Sequence, residues 1–174
     1  MSDKIDFAKL SLKDALDLAI LIEDEAKERY EEFTKIVGGR YKGDAADVFR
    51  NMAAYEARHG AELTARRKKL FGDAPRTVKA SSIDDVEAPD RGKPRVFMSA
   101  RQAMEVALQS EEKAYDYFNE ALRFVKDPDV KKLFEELRAE EVQHQEYVKK
   151  ALATLPPGPD VEDADADAPG SDGG

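Results

Sequence analysis

Apolar residues recur every three or four positions along four long segments of the chain, and this spacing constrains the fold more than any other feature. Such spacing places apolar side chains on one face of an α-helix. In the first segment, Leu12, Leu16 and Ala19 begin a stripe that continues to Val37. Little of the chain alternates apolar and polar residues as a strand would. We therefore predict an all-α protein with four helices.

Capping residues predict where these helices begin and end. A serine or aspartate precedes each helix as an N-cap, and these residues are Ser11, Asp44, Ser99 and Asp127. Glycine or proline stops three of the helices, which are predicted to end at Val37, near Phe71 and before Pro156. The stripe of the third helix continues to Val125. Each helix would have roughly 26 residues and a length of about 39 Å.

The connections between the helices differ in length. The first and third are short, so each joins two antiparallel helices into a hairpin. The second, residues 73–98, is long enough to run the length of a bundle or to reach a second chain. We predict one antiparallel four-helix domain over residues 1–155 with a long crossover between its hairpins. We also expect a homodimer. If the dimer is domain-swapped, the crossover would pass from one chain to the other.

Charge and cysteine content exclude several classes of function. The chain has no cysteine, so it has no disulfides, no thiol nucleophile and no cysteine-ligated metal. Its net charge is −9, and the short basic run at 66–69 fits the end of a helix, so we expect no nucleic-acid partner. No apolar run is long enough for a membrane span, and we expect a cytoplasmic protein. Residues 156–174 are acidic and rich in proline and glycine, which predicts a disordered tail.

Each apolar stripe is interrupted once by acidic residues. The first and third helices carry a single glutamate, and the second and fourth carry Glu-x-x-His; the residues are Glu23, Glu56, His59, Glu111, Glu141 and His144. Residues three apart share a helix face. All four glutamates fall near the middle of their helices, where antiparallel neighbours meet. The sequence thus predicts one core layer of four carboxylates and two imidazoles.

Four carboxylates in a dry core would repel one another strongly, and two divalent cations would balance their charge. Carboxylate and imidazole ligands without thiolate suit iron or manganese. One glutamate from each of two helices and Glu-x-x-His from each of two others is the dinuclear carboxylate pattern. The alternative is a metal-free structural bundle.

These motifs resemble the di-iron domain of the rubrerythrins over roughly residues 11–155. The resemblance rests on Glu23-x-x-Ala26-x-x-x-Tyr30, on Glu111 and on the two Glu-x-x-His motifs. It implies a ferritin-like antiparallel four-helix bundle, two iron ions per chain held by the six residues above, and Tyr30 beside the metals. It further implies reduction of hydrogen peroxide or dioxygen.

Two departures from the family modify this expectation. Typical rubrerythrins carry a cysteine-ligated rubredoxin module, which this chain lacks, so electrons would come from an external donor protein or a small reductant. Many also carry a further glutamate one turn after the third-helix ligand, where this chain has Ala114. A ferroxidase that oxidises and passes on iron would use the same ligands and is the alternative function.

Overall fold

Four α-helices make up most of the computed structural model, which describes residues 4–83 and 85–155. The helices are α1 (Leu12–Val37), α2 (Ala45–Phe71), α3 (Ala100–Ala121) and α4 (Pro128–Thr154). A short 3-10 helix, Phe7–Lys9, precedes α1, and a second one, Ala80–Ser82, lies within the crossover. Because the described residues contain no strand, the predicted all-α class is confirmed. The predicted tail at 156–174 lies outside the described residues.

Side-chain caps define the beginnings of the helices as the sequence predicts. The Ser11 hydroxyl accepts a hydrogen bond from the backbone N–H of Asp14 at 3.2 Å. Ser99 and Gln102 form a reciprocal capping box at the start of α3. The Asp127 carboxylate accepts backbone hydrogen bonds at the start of α4, whose first residue is proline. These bonds satisfy donors that have no partner inside the helix.

The third helix is shorter than its apolar stripe predicts. It has 22 residues and ends at Ala121 rather than near Val125. Beyond it the backbone tightens, with N–H groups of Arg123 and Phe124 bonding to carbonyls three residues earlier at 3.1 and 3.0 Å. A proline at 128 also disfavours helical geometry at the residue before it. The stripe alone could not reveal this change of hydrogen-bond pattern.

The helices pair as two hairpins joined by the long crossover. Helix α1 packs mainly on α2, and α3 packs mainly on α4. The crossover contacts both hairpins, because Arg29 of α1 donates to the Pro89 carbonyl at 2.7 Å and Lys113 of α3 donates to the Ala88 carbonyl at 2.8 Å. Residues 88 and 89 are buried. The crossover therefore lies against α1 and α3 as part of the packed structure.

The hydrophobic core consists of two clusters separated along the helix axes. One contains Leu16, Phe118 and Phe134, and the other contains Phe33 and Phe49. Each helix contributes residues to both clusters. The polar residues that interrupt its apolar stripe lie between these two contributions. The packing therefore leaves a polar layer between the two apolar clusters.

Two arginines of the basic run at 66–69 form ion pairs between helices. Arg67 pairs with the fully buried Asp17 of α1 through bonds of 2.8 and 3.2 Å, and Arg66 bonds Glu136 of α4 at 2.8 Å. These contacts fix α2 against two other helices. No helix in the described part of the chain is both long enough and apolar enough to cross a membrane.

Candidate metal centre

One buried glutamate from each helix lies in the polar layer between the two apolar clusters. The residues are Glu23 of α1, Glu56 of α2, Glu111 of α3 and Glu141 of α4, and none is more than 5% exposed. Carboxylates are almost never this deeply buried without a partner. The four residues fall into two groups of possible metal ligands.

The first group joins two predicted residues to one that the sequence analysis did not identify. Ligand atoms of Glu23, Glu56 and Glu87 lie within 4.8 Å of one another. Glu87 belongs to the crossover and is 1% exposed. Both carboxylate oxygens of Glu56 and of Glu87 lack a hydrogen-bond donor among the described residues. This group thus offers three carboxylates with unused lone pairs.

The second group is built from three predicted residues of α3 and α4. Ligand atoms of Glu111, Glu141 and His144 lie within 4.8 Å of one another. The Nδ1 atom of His144 is 3.1 Å from Glu111 Oε2 and 3.4 Å from Glu141 Oε2. Because residues 141 and 144 share one face of α4, both can point at the same ion.

The second histidine, His59, lies at the edge of the centre. Its ring is half-buried and belongs to neither group of three, although its centroid is 4.8 Å from that of His144. Tyr55 packs against both imidazoles, with ring centroids 4.6 Å and 4.7 Å away. The structure therefore brings five of the six predicted ligands into the two groups and places His59 beside them.

Tyr30 is fully buried next to the centre. Its ring stacks on Phe49 at 6.0 Å within the cluster that adjoins the polar layer. Burial raises the pKa of the Tyr30 hydroxyl well above its ordinary value, and the carboxylates of Glu111 and Glu56 add to this effect. The hydroxyl is therefore held in its protonated form.

Burial also disfavours the charged form of the glutamates. It raises the pKa of Glu23 from its ordinary 4.5 to about 8, and the nearby charge of Glu111 contributes. The pKa values of Glu56, Glu87 and Glu141 are raised well above the ordinary value, first by burial and then by neighbouring carboxylates. Burial and the proximity of His144 lower the pKa of His59. Without a cation, burial therefore favours the neutral form of these four glutamates.

The residues present fit two metal ions. Carboxylate oxygens without donors, packed this closely, are costly unless a cation binds them. The groups offer oxygen and nitrogen ligands and no sulfur, as expected for iron or manganese. Carboxylate oxygens without a hydrogen-bond donor among the described residues remain available as ligands in both groups.

The sequence analysis missed Glu87 because it lies outside any helix. No helical period applies to the crossover, so its side-chain direction could not be deduced. One signal was available: Glu87 stands within the otherwise apolar run Val86–Pro89, in a segment rich in charged residues. An acidic residue among apolar neighbours in a loop is a candidate for burial.

Comparisons with known proteins agree with this architecture. An uncharacterized conserved protein from Magnetospirillum magnetotacticum MS-1 has 28% sequence identity, covers 87% of this chain and 100% of its own, and superposes with a TM-score of 0.64. A hypothetical protein from Pyrococcus furiosus shares the fold at 19% identity, with 84% and 90% coverage and a TM-score of 0.51. No curated protein matches the sequence. The sequence model of the Rubrerythrin family matches residues 14–152, so the chain belongs to the rubrerythrin family.

Proposed function

We propose that this protein is a di-iron oxidoreductase that reduces hydrogen peroxide or dioxygen with electrons from an external donor. The observation that carries the proposal is the pair of adjacent buried ligand groups, each with three convergent side chains. Membership in the rubrerythrin family supports iron as the metal. Two iron ions bound there would supply the redox chemistry.

The chain's own residues would hold the metals and keep the surroundings dry. We propose that Glu23, Glu56, Glu111 and Glu141 would supply carboxylate ligands to the two ions, with His59 and His144 as the imidazole ligands. The apolar clusters on both sides exclude water from the layer. The hydroxyl of Tyr30, which burial holds in its protonated form, would donate a hydrogen bond to a small oxygen substrate at the centre.

A cleft beside His59 offers a route for small molecules. It has a volume of about 210 Å³ between α2 and α4 and is lined by residues that include His59, Glu62, Arg66 and Glu140. His59 forms part of its wall and also contacts His144 of the second ligand group. Peroxide or dioxygen entering here would reach the edge of the centre.

Aromatic rings offer a route for electrons. Tyr147 is 61% exposed and stacks on Tyr55, with centroids 6.3 Å apart and planes 7° apart. Tyr55 in turn packs against both histidines. A donor protein at this surface would be connected to the imidazoles through two stacked rings.

Anaerobic iron titration followed by rapid mixing with peroxide or with air tests the proposal. We expect two Fe(II) ions per chain, oxidation by one peroxide molecule per pair, and repeated turnover when a reductant is present. Glu56→Gln should lose this activity, whereas Glu28→Gln, an exposed change on α1, should not. Iron binding without oxidation by either oxidant would contradict an oxidoreductase.

The acidic lining of the cleft favours one second candidate, a ferroxidase. Glu62, Glu136 and Glu140 all line it, and acidic walls attract cations. Stoichiometry separates the two functions. A ferroxidase would continue to oxidise iron added beyond two ions per chain, and a peroxidase would consume peroxide with its iron content unchanged.

A further inference from the structure

We propose that Glu87 is itself a metal ligand, so that binding the metal fastens the crossover to the helix bundle. The inference rests on the di-iron centre proposed above and adds a ligand that the helices do not supply. Glutamate in a loop is ordinarily solvated. Glu87 is 1% exposed, and neither of its carboxylate oxygens has a donor among the residues described.

The nearest cationic side chains position the segment but do not neutralise Glu87. Arg29 bonds the Pro89 carbonyl at 2.7 Å and Asp85 at 2.8 Å. Lys113 bonds the Ala88 carbonyl at 2.8 Å and Asp90 at 2.9 Å. These contacts therefore hold the segment on both sides of Glu87, through the Asp85 side chain before it and the carbonyls of Ala88 and Pro89 after it. A purely structural role for the Glu87 carboxylate would require a hydrogen-bond donor or a cationic side chain beside it. Its neighbours are instead the carboxylates of Glu23 and Glu56.

Glu87 is the third possible ligand of the first group, as His144 is of the second. Each group consists of two helix glutamates and one further ligand, which is a carboxylate in one case and an imidazole in the other. The two metal positions are consequently unlike.

Metal binding at Glu87 would also tie the crossover to α1 and α2. Apart from this residue, the hydrogen bonds and ion pairs described between segment 85–90 and the bundle are those of Arg29 and Lys113 and a 3.3 Å bond from the Asp85 N–H to Glu25. Val86 also packs against the apolar cluster that contains Leu16. A segment held by few bonds opens more readily than the helices do. The metal should therefore lower the rate of proteolysis in the crossover, for example after the exposed Arg91.

The experiment compares Glu87→Gln with Glu112→Gln, a matched change at an exposed position of α3. Each full-length protein is titrated with Co(II), whose visible absorption reports coordination, in competition with a chelator. Each is also digested with trypsin with and without Co(II). Circular dichroism of the metal-free proteins establishes that both variants fold. Glu56→Gln is the reference for loss of a helix glutamate of the first group.

We expect Glu87→Gln to weaken one of two Co(II) sites by more than about tenfold, since even indirect supports of a ligand contribute this much. It should also abolish the protection of the crossover by Co(II), which Glu112→Gln should retain. Native affinity and native protection in Glu87→Gln, together with lost binding in Glu56→Gln, would overturn the role of Glu87 and leave the metal centre intact. A native protein that binds no metal would overturn both.

Discussion

Removing one buried carboxylate should stabilise the metal-free protein. The pKa of Glu23 rises from 4.5 to about 8 in the folded chain, so its protonated form is favoured by folding. Below about pH 4.5 burial of Glu23 does not lower the free energy of unfolding. The loss of stability grows as the pH rises toward 8. At neutral pH this cost is about 3 kcal/mol, and at pH 5 it is about 1 kcal/mol. Glu23→Gln should recover these amounts.

Thermal unfolding in the presence of a chelator measures this effect. At neutral pH the melting temperature of Glu23→Gln should exceed that of the native chain by roughly 6–12 °C, and the difference should shrink at pH 5. Glu28→Gln, an exposed change on the same helix, should match the native protein at both pH values. With saturating metal the order should reverse, because only the native protein then has the full ligand set.

Two results would refute the reasoning. A metal-free Glu23→Gln protein no more stable than the native chain at neutral pH would mean that burial does not disfavour the ionised carboxylate. A gain in stability that does not change with pH would mean that the substitution acts through packing.

Three further changes probe the surroundings of the centre. Tyr30→Phe should keep both metal ions and slow peroxide turnover at least about tenfold in steady-state kinetics, because it removes a buried hydrogen-bond donor beside the centre. Gly60→Ala should raise the free energy of unfolding by about 0.5–1 kcal/mol in denaturant titrations, because the new methyl group meets Glu23 Cβ at an ordinary 3.5 Å. Tyr147→Leu should slow reduction by a donor protein several-fold but leave reduction by dithionite unchanged, since it removes the exposed ring of the stack on Tyr55.

The helical part of the fold follows from local chemistry that the sequence displays. Side chains of Ser11 and Ser99 cap α1 and α3 where the sequence places them, and apolar periodicity identifies the buried face of each helix. The interruption of each stripe predicts which glutamates are buried. These features depend on residues only three or four positions apart, so the sequence contains the information directly.

Contacts between distant parts of the chain could not be predicted in this way. The burial of Asp17 depends on Arg67, which lies 50 residues away, and the position of Glu87 depends on contacts with α1 and α3. The resemblance to rubrerythrins indicates that a carboxylate found in many of them is absent here, where the chain has Ala114. The structure supplies an additional carboxylate from the crossover, where no periodic pattern exists to indicate it.

Anomalous diffraction at the iron edge, from crystals grown with Fe(II), tests the central claim most directly. The account predicts two iron peaks per chain, roughly 3.5–4 Å apart as in other dinuclear centres. One should lie among Glu23, Glu56 and Glu87, and the other among Glu111, Glu141 and His144. A single peak, or iron bound only outside this layer, would contradict a dinuclear centre built from these residues.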